Sequence, residues 1–151
     1  KYFKRLEEIS FHKINLPESS FDHLKSVISL KTLVLENVSF SGKNFVKFSN
    51  LSQIKELHLR SVNITAEVLS EIGKLKKLSY LEISHTFVDK RIIQIINQLN
   101  QLEILVLKGT RLNDEALLAL KLPNLQQLDI SNNAITGNSF KERNRFIERK
   151  N

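Results

Sequence analysis

Histidine and glutamate side chains have the clearest chemical potential in this sequence. His58 and Glu82 are separated by 24 residues, and His85 follows Glu82 closely. Imidazole nitrogens and carboxylate oxygens bind zinc when two or three of them converge at about 2.1 Å. These residues therefore raise the question of a metal site, and the answer depends on the elements that carry them.

Side chains suited to nucleophilic catalysis are present too, but no motif assembles them. The four glycines are scattered along the chain, which excludes a glycine-rich phosphate-binding loop. The chain has no cysteine, so thiolate zinc sites, cysteine nucleophiles and disulfides are excluded as well. We therefore expect a protein that is not an enzyme and that carries no cofactor.

The composition is that of an ordinary globular domain. The 151 residues are 41% hydrophobic and 26% charged, which is enough for one buried core. No apolar run approaches the roughly 20 residues of a membrane-spanning helix, and no signal peptide opens the sequence. Because methionine is absent, even at position 1, we expect the chain to be a piece of a longer protein.

The net charge of +7 includes a basic tail. Residues 141–151 contain five basic and two acidic side chains, so this tail carries +3 and the remaining residues carry +4. A protein that binds nucleic acid more often gathers its positive charge on one face, with aromatic residues between. Nucleic acid is therefore not the expected partner, and binding of nucleic acid or an acidic membrane through the tail is kept as an alternative.

An apolar pattern recurs at intervals of 24 residues and organises the chain. It has the form apolar-x-x-apolar-x-apolar-x-x-x-x-apolar and begins six times, at residues 6, 30, 54, 78, 102 and 125. Near its centre, as in residues 57–59, apolar and polar residues alternate, which predicts a short strand with one buried face. Apolar residues then follow at intervals of three, as at Leu69, Ile72 and Leu75, which predicts a helix.

One short strand and one short helix cannot bury their apolar faces alone. Stacked side by side, the repeats form a single α/β domain over residues 1–151, a right-handed curved solenoid with a parallel concave sheet and convex helices. The ends of such a stack need a cover. Ser139 and Glu142 fit a capping box and Phe146 extends an apolar face, which predicts a C-terminal capping helix at about 138–149.

This pattern resembles the leucine-rich repeat family, in particular its bacterial 24-residue type. Segments 102–112 and 125–135 carry the resemblance most clearly. At the ninth repeat position, where the family usually has asparagine, only Asn133 matches, whereas Thr86 and Thr110 look like the bacterial type. The resemblance implies a curved sheet that binds a protein partner, and the partner varies within the family.

Aligned repeats would place the outward strand side chains in columns across the concave sheet. Four of them are aromatic or apolar, a composition typical of the centre of a binding patch: Val34, Tyr80, Ile104 and Val106. Polar and charged residues of the same columns would form its rim: Glu36, His58, Arg60 and Glu82. The alternative is that packing between strands or a neighbouring domain covers the apolar residues.

The same columns place His58 beside Glu82, with His12 and His85 on the same face. Side chains on a sheet point outward in parallel, whereas a metal ion needs ligands that converge on one point. We therefore expect no metal site here.

The predicted function is a protein-binding module that presents a rigid concave sheet, with Tyr80 as its aromatic anchor and a monomer as its expected state. Richness in lysine, asparagine, isoleucine and serine suggests an AT-rich genome, and analogy with host-associated bacteria suggests a secreted effector acting on a host protein. The absence of cysteine favours the cytoplasm, or a host cell reached without a signal peptide, over a disulfide-forming space. The alternative is a structural or substrate-recognition part of a larger multidomain enzyme or receptor.

Overall fold

The computed structural model of the protein describes residues 3–17, 19–40, 49 and 51–138. Its strands are β1 (Glu8–His12), β2 (Asn15–Leu16), β3 (Thr32–Glu36), β4 (Ser39–Phe40), β5 (Glu56–Arg60), β6 (Tyr80–Ser84), β7 (Ile104–Val106) and β8 (Gln127–Asp129). Its helices are α1 (Ser20–Leu24), α2 (Ala66–Ile72), α3 (Lys90–Ile96) and α4 (Asp114–Leu118). The predicted capping helix at 138–149 falls almost wholly outside the described residues.

The main sheet has six parallel strands in the order β1-β3-β5-β6-β7-β8, so each repeat adds its strand beside the previous one. β2 and β4 form a separate two-stranded parallel sheet just after the first two main strands. This arrangement is the predicted α/β solenoid with a parallel sheet, and the fold prediction is confirmed.

The strand register reproduces the repeat spacing. Glu8 pairs with Thr32, Thr32 with Glu56, and Glu56 with Tyr80. The fifth repeat is one residue shorter, and its Ile104 still pairs with Gln127 of the sixth. Side chains at one repeat position therefore stand in a row across the sheet, as the columns predicted.

The core lies between the sheet and the helices. On the inner face of the strands, Leu33, Leu57, Leu81 and Leu105 have no exposed surface. From the helical side, apolar residues spaced by three contribute the opposite wall of this core: Leu69, Ile72, Ile93, Ile96 and Leu117. In the first and last repeats the apolar residues in and around the strand, such as Ile9 and Leu128, are only partly buried, because each end repeat has a neighbour on one side only.

The helices are short, and three of them begin at a residue whose side chain caps the first turn. The side chain of Thr65 accepts a hydrogen bond from the backbone of Val68 at the start of α2. Asp89 caps α3 and Asn113 caps α4 in the same way, which satisfies amide groups that the first turn leaves free. Ser19 precedes α1 without a side-chain capping bond.

Each repeat has a residue in the left-handed backbone conformation directly after its main strand or three residues beyond its end. Five of the six repeats use an ordinary residue with φ between 50° and 57°: Lys13, Asn37, Ser61, His85 and Asn132. The remaining repeat uses Gly109, with φ 62°. In five repeats the amide of this residue donates a hydrogen bond to a carbonyl of the next repeat, at the position just before the left-handed residue. Lys13 N, for example, donates to Glu36 O at 2.9 Å.

Asn133 fastens the last two repeats together from the ninth repeat position. Its Oδ1 accepts hydrogen bonds from the amides of Thr110 and Leu112, both at 2.9 Å. Its Nδ2 donates to the carbonyls of Ile130 at 2.9 Å and Leu107 at 2.5 Å. One amide side chain therefore satisfies four backbone groups of the last two repeats. Among the described residues, no helix is long and apolar enough to cross a membrane.

Candidate functional site

The outward side chains of the main sheet define a surface that we call the concave face. It consists of three columns, which the strand register sets and the repeat spacing extends to Lys108 and Ser131, and they coincide with three of the four predicted ones: Glu8, Thr32, Glu56, Tyr80, Ile104 and Gln127; Ser10, Val34, His58, Glu82, Val106 and Asp129; and His12, Glu36, Arg60, Ser84, Lys108 and Ser131. All eight residues predicted to form a binding site lie on this face.

Glu82 is the structural centre of the concave face. Its side chain is almost fully buried, with the residue only 8% exposed. Arg60 approaches it with two hydrogen bonds, from Nε to Oε1 at 2.7 Å and from Nη2 to Oε2 at 2.8 Å. Ser84 Oγ donates to Oε1 at 3.0 Å, and His58 Nδ1 lies 2.8 Å from Oε2. Because an ionised carboxylate can only accept hydrogen bonds, Nδ1 of His58 carries its proton.

The donors around Glu82 keep its carboxylate ionised. Burial alone would raise the pKa of this group, since it penalises the charged form. The hydrogen bonds from Arg60, His58 and Ser84, together with the positive charge of Arg60, outweigh burial and lower the pKa of Glu82 to about 2. Glu82 is therefore a fixed negative charge whose oxygens are already engaged within the protein.

Tyr80 stands beside this group, on the strand that carries Glu82. Its ring contacts the imidazole of His58, with ring centroids 4.6 Å apart and an angle of 33° between the planes. Burial and the nearby charge of Glu82 raise the pKa of Tyr80, so its hydroxyl is protonated at neutral pH. The phenol therefore offers both an apolar ring edge and a hydrogen-bonding group at the surface.

Weaker contacts extend the network toward the first strands. Glu36 Oε2 lies 3.3 Å from His12 Nδ1 and 3.9 Å from Arg60 Nη1. Glu56 Oε2 accepts a hydrogen bond from Thr32 Oγ1 at 3.3 Å and lies 4.0 Å from His58 Nε2. These groups are more exposed than Glu82, so their interactions are more strongly screened by solvent.

The structure corrects the prediction that all four apolar residues of the columns face water. Val34, which lies between Ser10 and His58 of the two neighbouring strands, is buried, with 7% exposure. Tyr80, Ile104 and Val106 are half-buried. Glu82, expected at the rim of the patch, instead lies beneath it as an anchor for Arg60 and His58. The accessible apolar area is therefore formed by three residues on β6 and β7.

Sequence reasoning on the columns missed the most exposed large apolar residues, which lie elsewhere. They are Phe3, Ile14, Ile28 and Phe87. Phe87 is 59% exposed and follows β6, at a repeat position where the first three repeats have Asn15, Ser39 and Asn63. Its departure from the polar residues at that position was the signal that could have identified it.

The histidines do not gather around Glu82 as a metal site would require. His58 contacts Glu82, whereas His85 lies beyond the end of β6 with its ring over Gly109. A Cβ placed on Gly109 would be 3.1 Å from His85 Nδ1. Within the described part of the chain, no three His, Cys, Asp or Glu side chains form a group that could hold a metal ion.

Comparison with known proteins identifies the repeat. Residues 29–48 and residues 124–142 each match a family model described as Leucine Rich Repeat. No curated protein matches the chain. Among solved structures, an internalin (inlF) from Listeria monocytogenes is similar with a TM-score of 0.53 and 23% identity, over 75% of this chain and 32% of that chain.

A second internalin, C2 from the same organism, has a TM-score of 0.49 and 18% identity, over 85% of this chain and 73% of that chain. The chain thus spans about a third of the length of the first of these structures. At this level of identity, the likeness describes the fold alone.

Proposed function

The chain is a leucine-rich repeat protein, and we propose that it is a protein-binding module that presents its concave face to a protein partner. The observation that carries this proposal is the order already present on that face. Glu82 holds Arg60 and His58 in place, and His58 supports the ring of Tyr80. Side chains that are positioned before binding lose little conformational entropy when a partner arrives.

Tyr80 is the proposed anchor of the interface. It stands between the polar network and the half-buried Ile104 and Val106, and tyrosine is enriched among the residues that dominate binding energy. Arg60, His58 and Glu36 would orient the partner through polar contacts at the surface. Val34 and Glu82 would act from beneath, by supporting these side chains.

Rigid display is the proposed mechanism, and it includes no catalytic step. Among the described residues this face is an open parallel sheet, whereas acyl transfer needs a site that excludes water and has donors aimed at a reacting oxygen. A binding surface needs only complementary shape and charge.

A bacterial effector that acts on a host protein is the more specific form of this proposal. It is supported by the composition that suggests an AT-rich genome and by the likeness of fold to a Listeria internalin. The second candidate is a recognition part of a larger protein, which is favoured by the observation that the chain spans only 32% of that internalin. The reading frame that surrounds the coding sequence separates these two candidates.

The test of the binding proposal is a pull-down from host-cell lysate and from lysate of the producing cell, with mass spectrometry as the readout. The bait is compared with a Tyr80→Ala/Arg60→Glu variant of the concave face and with Phe87→Ala, an exposed aromatic outside the three columns. We expect a protein that the wild type and Phe87→Ala retain and that the double variant loses. Equal retention by all three baits would place binding elsewhere on the molecule and overturn the proposal.

A further inference from the structure

The concave face differs in charge from the rest of the chain. Its three columns contain two basic residues, Arg60 and Lys108, and five acidic ones: Glu8, Glu36, Glu56, Glu82 and Asp129. The face therefore carries a net charge of −3, whereas the whole chain carries +7. A negative sheet on a positive protein is a local property of this surface and does not follow from the overall composition.

The negative charge is concentrated over the first three strands of the sheet. The carboxylate of Glu82 neutralises the guanidinium of Arg60 through two hydrogen bonds. Lys108 lies at the opposite end of the face, near Asp129, whose pKa is lowered mainly by hydrogen bonds from the backbone amide and the side chain of Ser131 and to a smaller extent by the charge of Lys108. In the described ranges, no lysine or arginine lies at ion-pair distance from Glu8 or Glu56, and Arg60 reaches Glu36 only at 3.9 Å.

The next two strands provide a different surface. Tyr80 on β6 and Ile104 on β7 continue the column that contains Glu8 and Glu56, and Val106 stands beside them. One row of side chains thus passes from exposed carboxylates to half-buried apolar groups. Neighbouring strands are about 4.8 Å apart, so Glu8 and Glu56 are separated by about 10 Å, the span of about three residues of an extended chain.

From this row we infer that the concave face binds a basic segment of a protein partner, extended across the strands. Lysine or arginine side chains of that segment would lie over β1, β3 and β5, and an apolar side chain would lie against Tyr80 and Ile104. Opposite charges across an interface guide association and select the register, while the desolvated apolar contact supplies most of the affinity. This inference rests on the proposed function and adds the chemistry of the partner to it.

A random peptide library displayed on phage tests the inference even while the partner is unidentified. The full chain is immobilised, and peptides are selected at physiological salt and eluted for sequencing. We expect the recovered peptides to be enriched in lysine or arginine near an aromatic or aliphatic residue. This outcome is discriminating, because the overall charge of +7 would by itself attract acidic peptides.

A synthetic copy of a recovered peptide is then titrated against three proteins, the wild type and two variants, by fluorescence anisotropy. Glu56→Lys reverses a charge of the concave face, and Glu115→Lys makes the same change on α4, where Glu115 is exposed. We expect Glu56→Lys to weaken the affinity for the peptide by about tenfold and Glu115→Lys to change this affinity by less than about twofold. Circular dichroism melts of both variants verify that they are folded.

Two results would overturn the inference, and they differ in what they say about the binding module. In the first, the recovered peptides lose binding to Tyr80→Ala, so they use the concave face, but they contain no excess of basic residues. This result would contradict the partner chemistry and leave the proposed function standing. A library that yields no peptide dependent on the concave face would contradict both.

Discussion

Arg60 on β5 forms a bidentate ion pair with Glu82 on the neighbouring strand, with Nε 2.7 Å from Oε1 and Nη2 2.8 Å from Oε2. The strand register sets Arg60 opposite Ser84 and Glu82 opposite His58, so the pair crosses the strands diagonally. Parallel hydrogen bonds between guanidinium and carboxylate add direction to charge attraction. This pair therefore fixes two columns of the concave face relative to each other.

Replacing Glu82 with glutamine should destabilise the protein. The amide presents one acceptor oxygen where the carboxylate presented two, so Arg60 or His58 loses its charged partner next to a buried group. We expect the free energy of unfolding to fall by about 1–2 kcal/mol. This value is in the lower part of the usual range for loss of a hydrogen bond to a charged group, because Arg60 is partly exposed to solvent. Urea denaturation measures this change. Glu115→Gln removes an exposed carboxylate on α4 and should leave the midpoint nearly unchanged, and an equal loss in both variants would contradict the role given to Glu82.

The same carboxylate should make stability depend on acid pH in a defined window. The pKa of Glu82 is lowered in the folded state to about 2 from an ordinary value of 4.5. A lowered folded-state pKa means that the stabilisation is present above pH 4.5 and is lost as the pH falls from there toward about 2. Unfolding free energies of the wild type and Glu82→Gln should therefore converge over this range. Parallel curves at all pH values would show that ionisation of Glu82 does not contribute.

Tyr80→Ala should separate binding from stability. The side chain is half-buried at the surface of the sheet, so its removal leaves the underlying leucine core intact. We expect partner binding to weaken by at least about 1 kcal/mol, with a nearly unchanged melting temperature. Calorimetric titration and thermal melts measure the two quantities, and Phe87→Ala is the control aromatic. A loss of stability as large as the loss of binding free energy would count against Tyr80 as an anchor.

Gly109→Ala tests the packing of His85 together with the backbone cost of a side chain at this position. Lys13, Asn37, Ser61 and Asn132 adopt the same left-handed conformation at the equivalent repeat position, so the fold accommodates a side chain there. A Cβ at position 109, however, would come within 3.1 Å of His85 Nδ1. We expect a destabilisation of about 1 kcal/mol, from this contact together with the cost of a non-glycine residue at positive φ.

The double variant Gly109→Ala/His85→Ala resolves the two contributions to that cost. If the His85 ring is responsible, the two substitutions together should cost less than the sum of the single variants in chemical denaturation. Strictly additive effects would assign the whole cost to the backbone at Gly109.

The position of each strand and the membership of each column followed from the spacing of apolar residues. Leucine recurs at intervals of 24 residues, and a parallel strand buries alternate side chains, so only one register keeps residues such as Leu57 and Leu81 in the core. The capping residues Thr65, Asp89 and Asn113 were also readable, because a helix start depends on chemistry within a few residues of chain.

The tertiary structure alone decided which members of the concave face remain accessible. The spacing of apolar residues placed Val34 and Glu82 on the outer surface, yet both are buried. Burial depends on the size and direction of side chains on the two adjacent strands, which the spacing does not determine. The tertiary structure likewise placed the ring of His85 against Gly109 and away from Glu82, because His85, directly after β6, has the left-handed backbone conformation. Periodicity along the chain determines position in a solenoid, whereas contacts between neighbouring repeats determine what each side chain does there.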